Sequence, residues 1–255
     1  MRIGSSGQQE KSKEGLIIGA LQPGYLPWIG FFDQVFHADL FILFDDLDYT
    51  KKDWRNRNRI KGPNGVQWLT VPVQHPSGRK IHQVKIDEAQ NWQHVHWKTI
   101  VHCYGKAPYF TRYRDTYREI YQKEWTNLRD LDVHLIRILL REFGIRTKIV
   151  LSSAVGLEKK FCKGKPRDHF ATRRIVHLMN HFGAQRFLQG QAGKNYVQEE
   201  ILKEAGITIG YQSFEPKPYP QLFGPFIPCL SAIDLLFNCG PDSLEFIVHS
   251  NPFDD

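Results

Sequence analysis

Between residues 16 and 46 the chain reads "LIIGALQPGYLPWIGFFDQVFHADLFILFDD", two short apolar runs flanking an amphipathic segment. This spacing leaves few folds open. "LIIGAL" (16–21) has the continuous apolar character of a strand covered on both faces. Across 27–37, Trp28, Ile29, Phe32 and Phe36 recur at helical spacing, and Pro27 suits a first helical position. "LFILF" (40–44) reads as a second buried strand, closed by Asp45 and Asp46. Strand, helix and strand in about 30 residues make a βαβ unit with parallel strands.

The order then changes. "VQWLTVPV" and "KIHQVKI" lie either side of the turn-rich "QHPSGR" and predict an antiparallel hairpin beside the main sheet. Helical patterns over 92–104, 108–124 and 128–143 predict a helical insertion at about 92–144, stopped by Gly144. "KIVLSS", "RFLQG" and "ITIGYQSF" return as strands. A basic loop, "EKKFCKGKPRDH", leads to a helix over 169–182, "YVQEEILKEAG" predicts another, and a last one covers 231–238. The whole predicts an α/β fold: a mainly parallel sheet of Rossmann-like βαβ units with an antiparallel hairpin and a helical insertion. No repeat or Gly/Ser-rich linker divides 16–255, which reads as a single domain. "MRIGSSGQQEKSKEG" (1–15) is polar, lacks the apolar segment of a secretory signal, and reads as a disordered leader or cloning remnant.

Composition narrows the setting. No apolar run approaches the roughly 18 residues of a membrane span. The four cysteines are widely spaced without a CxxC pair, which suits reduced thiols in the cytoplasm rather than disulfides or structural zinc. The net charge of +7 favours an anionic ligand or an acidic partner.

In an open parallel sheet, ligands bind outside the carboxyl ends of the strands. Four predicted strands end in polar loops: "QPGY" (22–25), "DDLDY" (45–49), Ser152 with Ser153, and "QGQAGK" (189–194). Parallel strands would place all four on one rim. The loop "DDLDYTKKDWRNRNRIKG" (45–62) carries the most chemistry. Asp45 and Asp46 close a buried strand, so at least one is desolvated or ion-paired, as acids at functional sites are. In "NRNR", Asn56 and Asn58 share one face of an extended segment and Arg57 and Arg59 the other. Two guanidinium groups then converge on a phosphate or pyrophosphate.

Asp46, or Asp45, is the candidate general base, and Lys52 the group to polarise a carbonyl or pair with an aspartate. Gln22 and Tyr25 are candidates to orient a sugar; the plainer alternative is that Tyr25 and Trp28 cap the core. Asp48, Trp54, Asn56, Asn58 and Gln221 complete the candidate substrate-binding set with Arg57 and Arg59. "LPWIG" stands where HIGH-motif nucleotidylyltransferases carry two histidines and has neither, which argues against that route. His94 and His96 point in different directions on a helix, so the His94, His96, His102 cluster makes poor metal-ligand geometry, and no metal or cofactor is expected. Ser231 and Asp234 resemble a capping box. Cys229 stands at the start of that helix, where the dipole favours a thiolate, with no histidine at a telling distance.

The stretch from "QPGYLPWIG" to "RNRNRIKG" (22–62) resembles the opening of the WbqC-like protein family. "YGKAPYF" (104–110), the "GQAGKNYV" region and "YPQLFGPFIPCLSAIDLLFN" (219–238) resemble it too. The resemblance implies a transferase in bacterial surface-polysaccharide (O-antigen) or related biosynthesis. With the residues above, it suggests transfer of an acyl or aminoacyl group onto an amino-sugar or similar amine. The expected partners are an anionic small molecule (a nucleotide-sugar or acyl donor) and an acidic carrier protein. The alternative is a non-catalytic ligand-binding or scaffolding module of a glycan-assembly complex. Nucleic-acid binding is disfavoured, because no such motif accompanies the charge.

Overall fold

The computed structural model describes residues 15–156 and 169–254; the leader (1–14) and the basic loop around Cys162 lie outside them. The opening unit is β1 (Ile17–Leu21), α1 (Ile29–His37) and β2 (Leu40–Leu43). The two strands pair in parallel, from Ile18 opposite Leu40 to Leu21 opposite Leu43. With β7 (Lys148–Leu151), β8 (Arg186–Gln189) and β9 (Thr208–Tyr211) they form a five-stranded parallel sheet in the order β7-β2-β1-β8-β9. This is the α/β architecture expected from the alternation of apolar patterns.

Alternate side chains of β1 and β2 feed two cores, as the pleat requires. Ile18, Ala20 and Ile42 pack with Ile175, Leu178 and Met179 of α5 (Phe170–Phe182) and with Leu202 of α6 (Glu199–Glu204). Phe41 and Leu43 belong to the larger opposite cluster, which continues into α1 and the insertion. Gly19 is required where it stands: a Cβ there would lie 2.8 Å from the Phe41 ring.

The insertion comprises α2 (Trp92–Tyr104), α3 (Phe110–Gln122) and α4 (Leu128–Glu142). It is clamped by α7 (Ala232–Cys239), whose Phe237 contacts the rings of Tyr104, Phe110, Tyr113 and Tyr117. A short α8 (Ser243–Ile247) follows. Among the described residues no helix is long and apolar enough to cross a membrane.

The expected antiparallel pairing is present but short, with Val73 opposite Ile86, and a second, longer ladder lies beside it. β3 (Arg57–Gly62) pairs with β4 (Gly65–Thr70), so "VQWLT" is answered by "NRNRIKG". The "VKI" segment supplies β6 (Lys85–Ile86), which pairs with β5 (Val73–Gln74) and bridges Asn127 on its other side. Alternation specifies which face a residue occupies, not which strand it pairs with. The turn at Pro63 and Asn64, completed by Gly65 at φ +97°, closes the nearer pair with a much shorter loop.

Candidate functional site

A cavity of about 640 Å³ opens at the carboxyl ends of β1, β2 and β8. Ala20, Leu21 and Gln22 enter it from β1, Phe44 and Leu47 from beyond β2, and Phe187 and Gln189 from β8. Trp54, Arg55, Asn58 and Arg59 form one wall, Phe170, Arg174 and Ile175 of α5 another. Trp28, Phe31, Tyr196 and Cys229 also line it.

The turn after β1 is stitched to this wall. The Tyr25 amide donates to the carbonyls of Trp54 (3.3 Å) and Arg55 (3.1 Å). Arg55 Nη1 returns a bond to the Pro23 carbonyl (3.1 Å), and Asn58 Nδ2 donates to Leu26 (2.7 Å). Gly24 allows this approach, since a Cβ would lie 2.7 Å from the Trp54 carbonyl. The C-terminal block joins from the far side: the Ser231 amide donates to the Arg59 carbonyl and Ala232 to Pro27, bringing Cys229 to the wall. Burial pushes the Cys229 thiol up, with Arg59 only partly opposing. The thiolate that the helix dipole suggested is therefore not favoured here.

Three arginines, Arg55, Arg59 and Arg174, line the cavity, while no Asp or Glu is among its described lining residues; Arg55 Nε lies 3.7 Å from Asp53 outside that lining. Arg174, 4% exposed, donates to Asp46 and lies 4.6 Å over the Phe44 ring. Arg59 donates to the Cys229 carbonyl (3.2 Å). Burial pulls Arg55 down from its ordinary value, opposed by Asp53 and Asp132, and a guanidinium starting above 12 stays charged.

The paired aspartates sit one layer behind. Asp45 accepts from the Ser153 amide (2.9 Å), both Ser152 and Ser153 hydroxyls, and Arg129 Nη1 (2.8 Å). Asp46 accepts from Ser152 and Arg174 through Oδ1, and its buried Oδ2 has no protein partner. Both acids are buried and ion-paired, and the loops after β1, β2, β7 and β8 share one rim.

The other expected residues divide. Gln22, Trp54, Asn58 and Arg59 line the cavity. Asn56 is buried and holds the Val71 carbonyl (2.7 Å). Arg57 binds the Lys52 carbonyl and stacks 4.3 Å over Trp68. Lys52 is exposed at φ +58°, and exposed Asp48 pairs with Lys80 (2.8 Å).

Gln221 lies in a second cluster, outside the cavity lining. There Asp234 accepts from Tyr104 (2.8 Å), Tyr219 (2.9 Å) and Gln221 (2.9 Å). Ser231 does cap α7, accepting from the Ile233 amide, but Asp234 turns into this cluster instead of closing a capping box. The Ser231 amide that a capping box would satisfy already donates to the Arg59 carbonyl, and the acid accepts from three other donors.

Tyr25 is fully buried, its hydroxyl between His96 Nδ1 (2.9 Å) and Tyr121 Oη (2.5 Å). His94 and His102 are exposed, but His96 is buried and burial holds its pKa at about 4. Its other bond, to the Thr70 carbonyl, leaves Nδ1 to accept from Tyr25. Because this pKa lies below the unfolded value near 6.5, the stabilisation is complete above pH 6.5 and is lost as pH falls towards 4. The loss should reach about 3 kcal/mol. Urea denaturation of wild type and His96→Gln between pH 7 and 4 should show that slope in the wild type alone.

Arg55 and Arg174 were missed by sequence reasoning. Arg174 carried a signal: it falls on the buried stripe of α5 with Ile175 and Leu178, where an arginine must find a counter-charge.

Fold and cavity together define an α/β protein with an arginine-lined, largely apolar cavity at the carboxyl rim of a parallel sheet. The chain belongs to the WbqC-like protein family, which matches residues 22–246. It is also similar to Rv1507c, an uncharacterized protein of Mycobacterium tuberculosis, at 34% identity over 235 residues, covering 90% of this chain and 96% of the relative. No solved structure matches the chain.

Proposed function

We propose that the protein is a transferase of bacterial surface-glycan or related biosynthesis, moving an acyl or aminoacyl group onto an amino-sugar or similar amine. The observation that carries this reading is the convergence of Arg55, Arg59 and Arg174 on a cavity whose described lining holds no carboxylate. Such a site accepts the phosphates of a nucleotide-sugar or acyl donor, and guanidinium groups bind phosphate oxygens bidentately. Gln22 and Gln189 orient the uncharged part of the ligand. Asp46 is the general base of this reading. A bound anion draws Arg174 away from it; the freed carboxylate takes the amine proton as nitrogen attacks the acyl carbon, and the bond from that carbon to the donor's sulfur or phosphate oxygen breaks, the thiolate or phosphate leaving with the bonding electrons. A positioned base of this kind contributes about 10²–10⁴-fold.

The absence of an acid from the described cavity wall also suits a binding module without catalysis. Asp46→Asn separates the two, since it would abolish transfer by an enzyme and leave product levels unchanged for a scaffold. The ligand itself is found by thermal shift with a panel of nucleotide-sugars and acyl-coenzyme A. A ligand at a hundred times its Kd stabilises by about 2.7 kcal/mol, a rise of roughly 5–10 °C for a chain of this size. Arg59→Ala should remove the shift. No shift with any of the panel would overturn an anion-binding cavity.

A further inference from the structure

An aromatic and cationic stack leaves the cavity and continues along the outer face of the β3–β4 hairpin. Trp54 and Arg59 belong to the cavity wall, and the Arg59 guanidinium lies 5.6 Å over the Trp54 ring. Trp54 stacks on Trp68, with centroids 5.4 Å apart and planes inclined by 30°. Arg57 then covers Trp68 at 4.3 Å. The register places Arg59 directly opposite Trp68, so both strands contribute to one face.

As hairpin reinforcement this arrangement is poorly spent. An exposed cation–π pair is worth about 0.5–1 kcal/mol. Yet the two indoles remain 44% and 45% exposed. The hydrogen bonds of Arg57 and Arg59 described here go to the carbonyls of Lys52 and Cys229, and neither guanidinium meets a carboxylate among the described residues. Large exposed aromatic surface beside arginines without a direct ion pair among the described residues, continuous with a cavity, is the combination that holds a planar base next to phosphate.

We propose that Trp54, Trp68 and Arg57 form a base subsite, so that the ligand is a nucleoside diphosphate whose phosphates meet Arg59 and the cavity arginines and whose base packs against the exposed surface of the indoles. This rests on the anion-binding reading of the cavity and narrows its ligand. Nucleotide-sugars and coenzyme A both carry a nucleoside diphosphate, so the base itself distinguishes the source. Residues two apart on one strand face are about 7 Å apart, which lets Arg57 and Arg59 follow such a ligand from phosphate to base.

Titration calorimetry with uridine diphosphate, adenosine diphosphate, coenzyme A and base-free pyrophosphate tests this on wild type, Trp68→Ala and Arg59→Ala. Trp68 is exposed and outside the cavity lining, so its removal should leave the fold intact. The expected result is a loss of roughly 5- to 100-fold in nucleoside diphosphate affinity for Trp68→Ala, with pyrophosphate binding unchanged. Preference for uridine would indicate a nucleotide-sugar, and for adenosine diphosphate with coenzyme A an acyl donor; either supports the subsite. Unchanged nucleoside diphosphate affinity in Trp68→Ala would overturn the subsite while the Arg59→Ala loss still upholds the cavity. Failure of every compound to bind would overturn both. Tighter, steeply salt-dependent binding of a uridine dodecamer than of uridine diphosphate would replace the mononucleotide with a single strand.

Discussion

Asp234→Ala should lower Tm by roughly 6–20 °C, the equivalent of about 3–5 kcal/mol. The acid is buried and accepts from Tyr104 and Tyr219, both buried, and from the part-buried Gln221, so its removal strands two hydroxyls in the interior. Each stranded donor costs about 1–3 kcal/mol. Its charge also opposes that of Lys61, which is 2% exposed and held by Gln221 and the carbonyls of Gly224 and Pro225. Removing Asp234 therefore leaves an ammonium in the interior with its balancing charge deleted. Lys61→Met in the same background should cost less than the sum of the two single changes, by about 0.5–3 kcal/mol. Strict additivity, read from chemical denaturation, would show that the two groups act independently.

The second large effect concerns Asp46. Arg174 is buried and its described hydrogen bond goes to Asp46, so Asp46→Ala should destabilise by about 3–5 kcal/mol. The double variant Asp46→Ala with Arg174→Met removes both charges, and replacing a buried pair by apolar groups is often neutral or stabilising. It should therefore recover most of the lost Tm. Ligand-induced shifts should not recover, because the cavity has lost a guanidinium. Full recovery of the shift would show that Arg174 is a structural cation alone, and would remove both it and Asp46 from the proposed site.

The two clusters show unequal legibility. That at least one of Asp45 and Asp46 would be desolvated or ion-paired followed from their place after "LFILF", at the end of a strand covered on both faces. That Arg174 answers Asp46 did not follow, since they stand 128 positions apart. "YGKAPYF" and "YPQLF" were each recognisable as family blocks, yet their meeting at Asp234 through Tyr104, Tyr219 and Gln221 required α7 to lie against both. His96 was one of three clustered histidines in sequence, and only packing against Tyr25 and Tyr121 singled it out as the neutral, buried one.

What the sequence determined by itself was periodic and local: parallel βαβ units, a helical insertion and a rim of four polar strand ends. These follow because strand and helix impose fixed side-chain periods, and a parallel sheet puts every strand's carboxyl end on one side. Tertiary structure alone decided which strand pairs with "NRNRIKG", which arginines enter the cavity, and which acid holds each buried cation. With 34 basic and 27 acidic side chains in the chain, charge alone leaves every pairing open. Burial selects among them, because a charge removed from water is tolerated only where packing brings its partner within hydrogen-bond reach.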